Sequence, residues 1–403
     1  MFYPGGAFAL QSAMTWAKTS HERKDLPNWP SVDELTSAAK GFPVSQADTR
    51  AAGRNIGFFD DWVTHDKADS YWEKIDGIDR AAQIDAPVFS MAGWYDPFLP
   101  SQLADWNCIQ SSANLDVINK SRLIIGPWRH GGEAEFPDKS IKEPFRLNTF
   151  EFSLDFFDSI RKSETDTKYS ANAAAKSPVR IFVMGKNKWR NEQEWPLQRA
   201  VYTPFYLSID NDSHQSGHLQ KVPPTKSDSS SYTYDPNKPV PTAGGAMIGL
   251  GSGVFSQNTI ESRSDVLSYT TEKLAADTEV TGPVKTTLYL STSAPCTDFT
   301  AKLVDVHPDG TAYNVCDGIV RSHFSDNSPS KVEINLWPTS MVFLKAHCIR
   351  LEVSSSNFPR FDANPNTGRA ISTETNPVSA LQHIYYGPQF PSSITLPLIQ
   401  SEK

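Results

Sequence analysis

The stretch APVFSMAGWYDPFLP (86–100) decides how this chain is read: an apolar run closes on Trp94 and Tyr95, and Asp96 follows with Pro97 at its back. A second run, SRLIIGPWRH (121–130), has the same design and ends on His130. Each is short, apolar and stopped by a proline at or just beyond its end, the pattern of a buried parallel strand. Between them, PSQLADWNCIQSSAN (100–114) has the length and polarity of a crossover helix, and VRIFVMG (179–185) adds a third buried strand. LNTFEFSLDFFDSIRK (147–162) sets Leu147, Phe150, Leu154 and Phe157 at helical spacing, one apolar stripe. Strand, helix and strand in alternation over 78–198 is α/β grammar.

On either side the pattern changes. Residues 1–77 read as helical: GGAFALQSAMTWAK (5–18) carries Phe8, Met14 and Trp16 among small residues. In SVDELTSAAKGF (31–42), Ser31 is followed three residues later by Glu34, a capping-box start. From 199 to 403 short strands separated by turn residues take over, among them TPFYLSID, TTLYLSTS, DFTAKLVDV, YNVCDGIV, KVEINLW, HCIRLEVSSS and SITLPLI, with HPDG (307–310) closing a hairpin. A β-sandwich of jelly-roll type fits this pattern. The polar, proline-containing segment 213–231 reads as a surface loop or linker.

Composition excludes several functions. The net charge is −8 and no basic stripe tracks a phosphate backbone, so nucleic acid is not an expected partner. No apolar run reaches the ~18–20 residues of a membrane helix, so no membrane partner is expected either. Four scattered cysteines without a C-x-x-C pair argue against a zinc knuckle or a disulfide framework and for free thiols. The amino terminus lacks a basic n-region and a cleavage site. The expectation is a soluble chain, cytoplasmic in preference to secreted, with its oligomeric state open.

In an open parallel sheet, functional residues gather where the strands end at their carboxyl edge. Asp96 and His130 both stand at such ends, and neighbouring strands lie about 4.8 Å apart. A carboxylate beside an imidazole can fix its tautomer and stabilise the imidazolium formed when it takes a proton from a nucleophile. The alternative is that Asp96 caps the following turn and His130 is an exposed loop residue; the pattern alone leaves both open.

The strings MAGWYDPFL, LIIGPWRH, RIFVMGKNKWRNEQEWPL, YTPFYLS, TDFTAKLVDVHPDGTAYNVCDGIVR and VSSSNFPRFDANPNTG together resemble the CocE/NonD hydrolases, over essentially the whole chain and in order. That family takes in serine hydrolases of the cocaine-esterase and X-prolyl dipeptidyl-peptidase types. The resemblance implies α/β plus all-β: a partial α/β-hydrolase core (78–198) with a helical cap (1–77), followed by a jelly-roll β-sandwich (199–403). It implies a Ser-Asp-His triad whose acid and base fall on Asp96 and His130, and it places Trp16, Phe98 and Ile248 along an acyl pocket. Gly249 stands where the family carries a large side chain.

No Gly-x-Ser-x-Gly string occurs; GLGSGVF (249–255) has the wrong spacing. The expectation is a carboxyl-terminal portion of such an enzyme, with an amino-terminal half missing, inactive alone and acting in whole on a small-molecule ester or amide. Neither cofactor nor metal is expected. His65 reads as a packing or capping residue and His307 as a turn residue. His347 and Cys348, adjacent in a strand, face opposite sides and cannot share a metal. A jelly-roll protein binding carbohydrate or another ligand, or one half of a two-chain hydrolase, is the alternative.

Overall fold

The apolar runs form the strands that their composition favours. In the computed structural model, which describes residues 2–19, 30–133, 136, 148–161, 177–209 and 216–400, β1 (Phe89–Tyr95) and β2 (Arg122–Arg129) pair in parallel. Two helices connect them, α7 (Leu99–Ile109) and α8 (Leu115–Lys120). β2 then pairs antiparallel with the short β3 (Gly132–Glu133) and parallel with β4 (Val179–Val183). An antiparallel β5 (Lys188–Glu192) completes a five-stranded sheet in the order β1-β2-β4-β5, with β3 beside β2. Trp94, Trp106, Ile125 and Phe182 are buried in its core.

The stripe expected along the helix after β3 does not face this core. α9 (Thr149–Arg161) buries Phe156, which stacks on Phe89 with centroids 5.3 Å apart, and its Phe152 ring lies 6.0 Å from Trp128. Phe150, Leu154 and Phe157 are exposed by 74%, 49% and 64%. Phe89 and Trp128 of the sheet select the 152/156 line over the longer Leu/Phe stripe. Leu147 lies outside the described residues.

Ahead of the sheet stands a helical layer: α1 (Leu10–Thr19), α2 (Val32–Ala39), α3 (Ala47–Ala52), α4 (Gly57–Thr64), α5 (Ser70–Glu73) and α6 (Ile78–Ala81). Ser31 caps α2: its hydroxyl accepts from the Glu34 N–H, and the Glu34 carboxylate accepts from the Ser31 N–H. The apolar faces of α1 to α4 close on Phe358, Ala363 and Ile371, so their core is shared with the carboxyl-terminal domain.

That domain is an eleven-stranded β assembly. Its strands are β6 (Ala200–Ser208), β7 (Ser216–Gln220), β8 (Asp228–Tyr234), β9 (Leu267–Thr270), β10 (Thr278–Thr292), β11 (Cys296–Val306), β12 (Ala312–His323), β13 (Ser330–Phe343), β14 (Cys348–Ser354), β15 (Ala380–Tyr386) and β16 (Ser393–Ile399). The order is β12-β11-β14-β9-β7-β6-β16-β10-β15-β8, with β13 also on β10. β7 and β8 occupy much of the segment expected to be a loop. In β8 the alternation is real but written with small polar residues: Ser230, Tyr232 and Tyr234 are buried, and the Tyr232 hydroxyl bonds Ser355. The four cysteines are free. Among the described residues no helix is long and apolar enough to cross a membrane.

Two contacts lock the amino terminus onto this domain. Gly5 has φ +60° and lies so close to β12 that a Cβ there would sit 1.9 Å from the Ile319 carbonyl oxygen. Beside it the Phe8 N–H donates to Asp362 at 2.8 Å, while the Arg321 guanidinium donates to both Asp298 and Asp362 at 2.8 Å. Those carboxylates keep only 1% and 0% of their side-chain surface exposed. Removing the cation leaves two buried anions facing each other, so Arg321→Met is expected to destabilise the fold by about 3–5 kcal/mol, read as a drop in the urea midpoint.

Candidate active site

Asp96 and His130 meet at the carboxyl ends of β1 and β2, and an irregularity in the ladder sets their level. Gly93 opposes Gly126, but Tyr95 opposes Arg129, so β2 uses one residue more than β1 over this interval. A regular ladder from Gly93–Gly126 would bring Asp96 level with Arg129; the extra residue brings it level with His130. Pro127 accounts for the position of the bulge, because a proline inside a strand cannot donate to the ladder.

The Asp96 carboxylate serves both purposes left open by the pattern. Oδ1 accepts from the Phe98 N–H at 2.8 Å, capping the turn into α7, and Oδ2 lies 3.1 Å from His130 Nδ1. The carboxylate side chain is 13% exposed and the imidazole 45%. The Asp96 hydrogen bond raises the His130 pKa above its ordinary value, against the opposing effect of partial burial.

Phe98 stands beside the pair, and Ile248 lies in a loop whose neighbours reach the strand tips. The Phe98 ring lies 4.9 Å from the imidazole, tilted by 48°. Ile248 is buried in a loop of the β-domain that is tied to both strand tips. Arg129 Nη1 donates to the Gly249 carbonyl at 3.2 Å, and the Ser252 hydroxyl lies 3.1 Å from the Tyr95 carbonyl. Arg129 and Ser252 escaped the sequence reading, since their contacts span 120 and 157 residues. Trp16 is 51% exposed on α1, and among the described residues no hydrogen bond or ring contact joins it to Asp96, His130 or Phe98.

A second imidazole–carboxylate pair shows why distance alone assigns no role. His65 Nδ1 lies 2.6 Å from Asp69, and its ring stacks on Tyr71 at 4.4 Å. It ends α4, and its carbonyl accepts from the Trp72 indole. This pair fastens consecutive helices, whereas the Asp96–His130 pair stands where three loops from two domains converge.

The chain is similar to known proteins over nearly its whole length. Residues 1–132, which contain Asp96 and His130, match the family model described as X-Pro dipeptidyl-peptidase (S15 family). Residues 171–395 match the X-Pro dipeptidyl-peptidase C-terminal non-catalytic domain. The chain is 34% identical to cocaine esterase of Rhodococcus sp. (strain MB1 Bresler), the match taking in 98% of this chain and 73% of that protein. Its fold is shared with an aminopeptidase from a marine sediment Thaumarchaeota archaeon (TM-score 0.80) and with an α-amino acid ester hydrolase (TM-score 0.79). Each is 22% identical, with 98% of this chain and 69% of the other covered.

Proposed function

The chain belongs to the CocE/NonD hydrolases, a family of serine hydrolases acting on ester and amide bonds, and on that premise we propose that Asp96 and His130 are the acid and base of its catalytic triad. The observation that carries the proposal is the 3.1 Å approach of Asp96 Oδ2 to His130 Nδ1 at neighbouring parallel strand ends. A carboxylate can only accept there, so Nδ1 carries the proton and Nε2 is left as the base. His130 takes the proton of a serine hydroxyl as it attacks the carbonyl carbon, then returns it to the leaving group, giving an acyl-serine that water hydrolyses in the same way.

The serine and the oxyanion donors are supplied from outside these 403 residues, on the same polypeptide or on another. Two observations support this: the sequence has no Gly-x-Ser-x-Gly elbow, and β1 has a strand neighbour on one edge only among the described residues. In this reading the five-stranded sheet is part of an α/β-hydrolase core, the helices are its cap and the β-domain is a jelly roll. Phe98 and Ile248 form the apolar side of a slot for a bulky acyl group, with Trp16 on the cap approaching once the core is complete. A fluorophosphonate probe, which reports an activated serine, is expected to leave the 403-residue chain unlabelled. Stoichiometric labelling of the chain alone would refute the reading.

A further inference from the structure

Away from the strand tips, the β-domain brings together three side chains of metal-ligand type. Asp305 is the penultimate residue of β11, opposed by Tyr313 on β12 and by Ile349 on β14. The turn after β11 therefore lies beside the turn that precedes β14, and each carries a histidine. His347 Nδ1 is 2.9 Å from Asp305 Oδ1, His307 Nε2 is 3.3 Å from Asp305 Oδ2, and the two ring centroids are 4.4 Å apart. One ligand atom from each of the three lies within 4.8 Å of the others.

We propose that Asp305, His307 and His347 form a zinc site that ties the β11–β12 turn to the β13–β14 turn. Tetrahedral zinc holds nitrogen and oxygen donors at about 2.0–2.2 Å, which sets them about 3.3–3.5 Å from one another. The two imidazoles face different oxygens of the carboxylate, at 2.9 and 3.3 Å, and one donor from each of the three residues already lies within 4.8 Å of the others. Bringing the donors onto one ion takes a turn of the carboxylate and of His307, whose side chain is 36% exposed on its turn, so that water can complete the coordination.

The surroundings suit a cation. The Asp305 side chain is 4% exposed, and among the described residues its charge is paired by no lysine or arginine, only by the two imidazoles. Both turns are held by their own backbones: His307 N–H donates to Thr311 at 2.8 Å, His347 N–H donates to Leu344 at 3.0 Å, and the His347 carbonyl accepts from Leu274. Ala346 is kept at φ +70°, a conformation unfavourable for a residue with a Cβ, and it aims the following histidine. Two imidazoles and one carboxylate favour a borderline divalent ion over magnesium or calcium, which take oxygen donors.

The test uses the full chain without an affinity tag, stripped with a chelator, dialysed against zinc sulfate and analysed for bound metal. About one zinc per chain is expected, with a rise in melting temperature that magnesium sulfate does not reproduce. Loss of one ligand should weaken affinity by more than the about 10–100-fold that follows loss of an outer-shell partner. His307→Ala, on an exposed turn, tests this without disturbing the core, and Asp309→Asn on the same turn should bind as the parent does. Failure of the parent chain to retain zinc, or retention by His307→Ala with unchanged affinity, would overturn the site.

Discussion

If the proposed triad is completed by a serine-bearing segment, His130→Ala is expected to lower kcat about a millionfold while KM for an aryl ester changes little. In the proposed triad the imidazole takes the serine proton, and no other imidazole among the described residues reaches Asp96. Acting as one unit, base and nucleophile each cost nearly the whole triad contribution when removed, and the residual rate comes from the oxyanion donors and substrate binding. Because the His130 ring is partly exposed and its loss vacates no core position, the melting temperature should stay close to that of the parent. Single-turnover acylation kinetics check the prediction. A variant retaining a tenth of the parental rate would remove His130 from the mechanism.

Asp96→Asn has the second-largest expected effect, about 10⁴-fold in kcat. An asparagine can offer an N–H where the carboxylate only accepts, which favours the tautomer that protonates Nε2 and disarms the base. The pH profile adds a readout that a structural role would not move. Asp96 raises the His130 pKa, so the base form accumulates only above a value higher than that of a free imidazole, and kcat/KM climbs with pH through it. In Asp96→Asn that rising limb moves to lower pH while the plateau falls. Stability runs the other way: the ion pair with protonated His130 is fully present below the unfolded-state pKa and is lost as pH rises through the folded one. Its exposure keeps that contribution small.

The parallel pair was legible because two apolar runs flank a segment of helical length, and such connections make neighbouring parallel strands. Asp96 and His130 followed directly, as the residues just past each run. Their level was not legible: it depends on the extra residue near Pro127, and a ladder register belongs to two strands together. Segment 213–231 was misread for a different reason. Serine and threonine carry little hydrophobic signal, so a strand that buries Ser230 ahead of its two tyrosines looks like a linker until Ser355 is seen bonded to Tyr232. The α9 face was misassigned because spacing identifies a stripe but not the side that finds partners. His347 was weighed only against Cys348, its neighbour in sequence, whereas the fold sets it against Asp305, 42 residues away.

The bond from the Phe8 amide to Asp362 joins residues 354 positions apart. On a ribosome adding about 5–20 residues per second, Asp362 follows Phe8 by about 20–70 s. Throughout that interval the first helices have no Phe358, Ala363 or Ile371 to cover them. The nascent chain thus carries this apolar face uncovered while more than three hundred intervening residues are made, and the helices settle only once that later partner arrives.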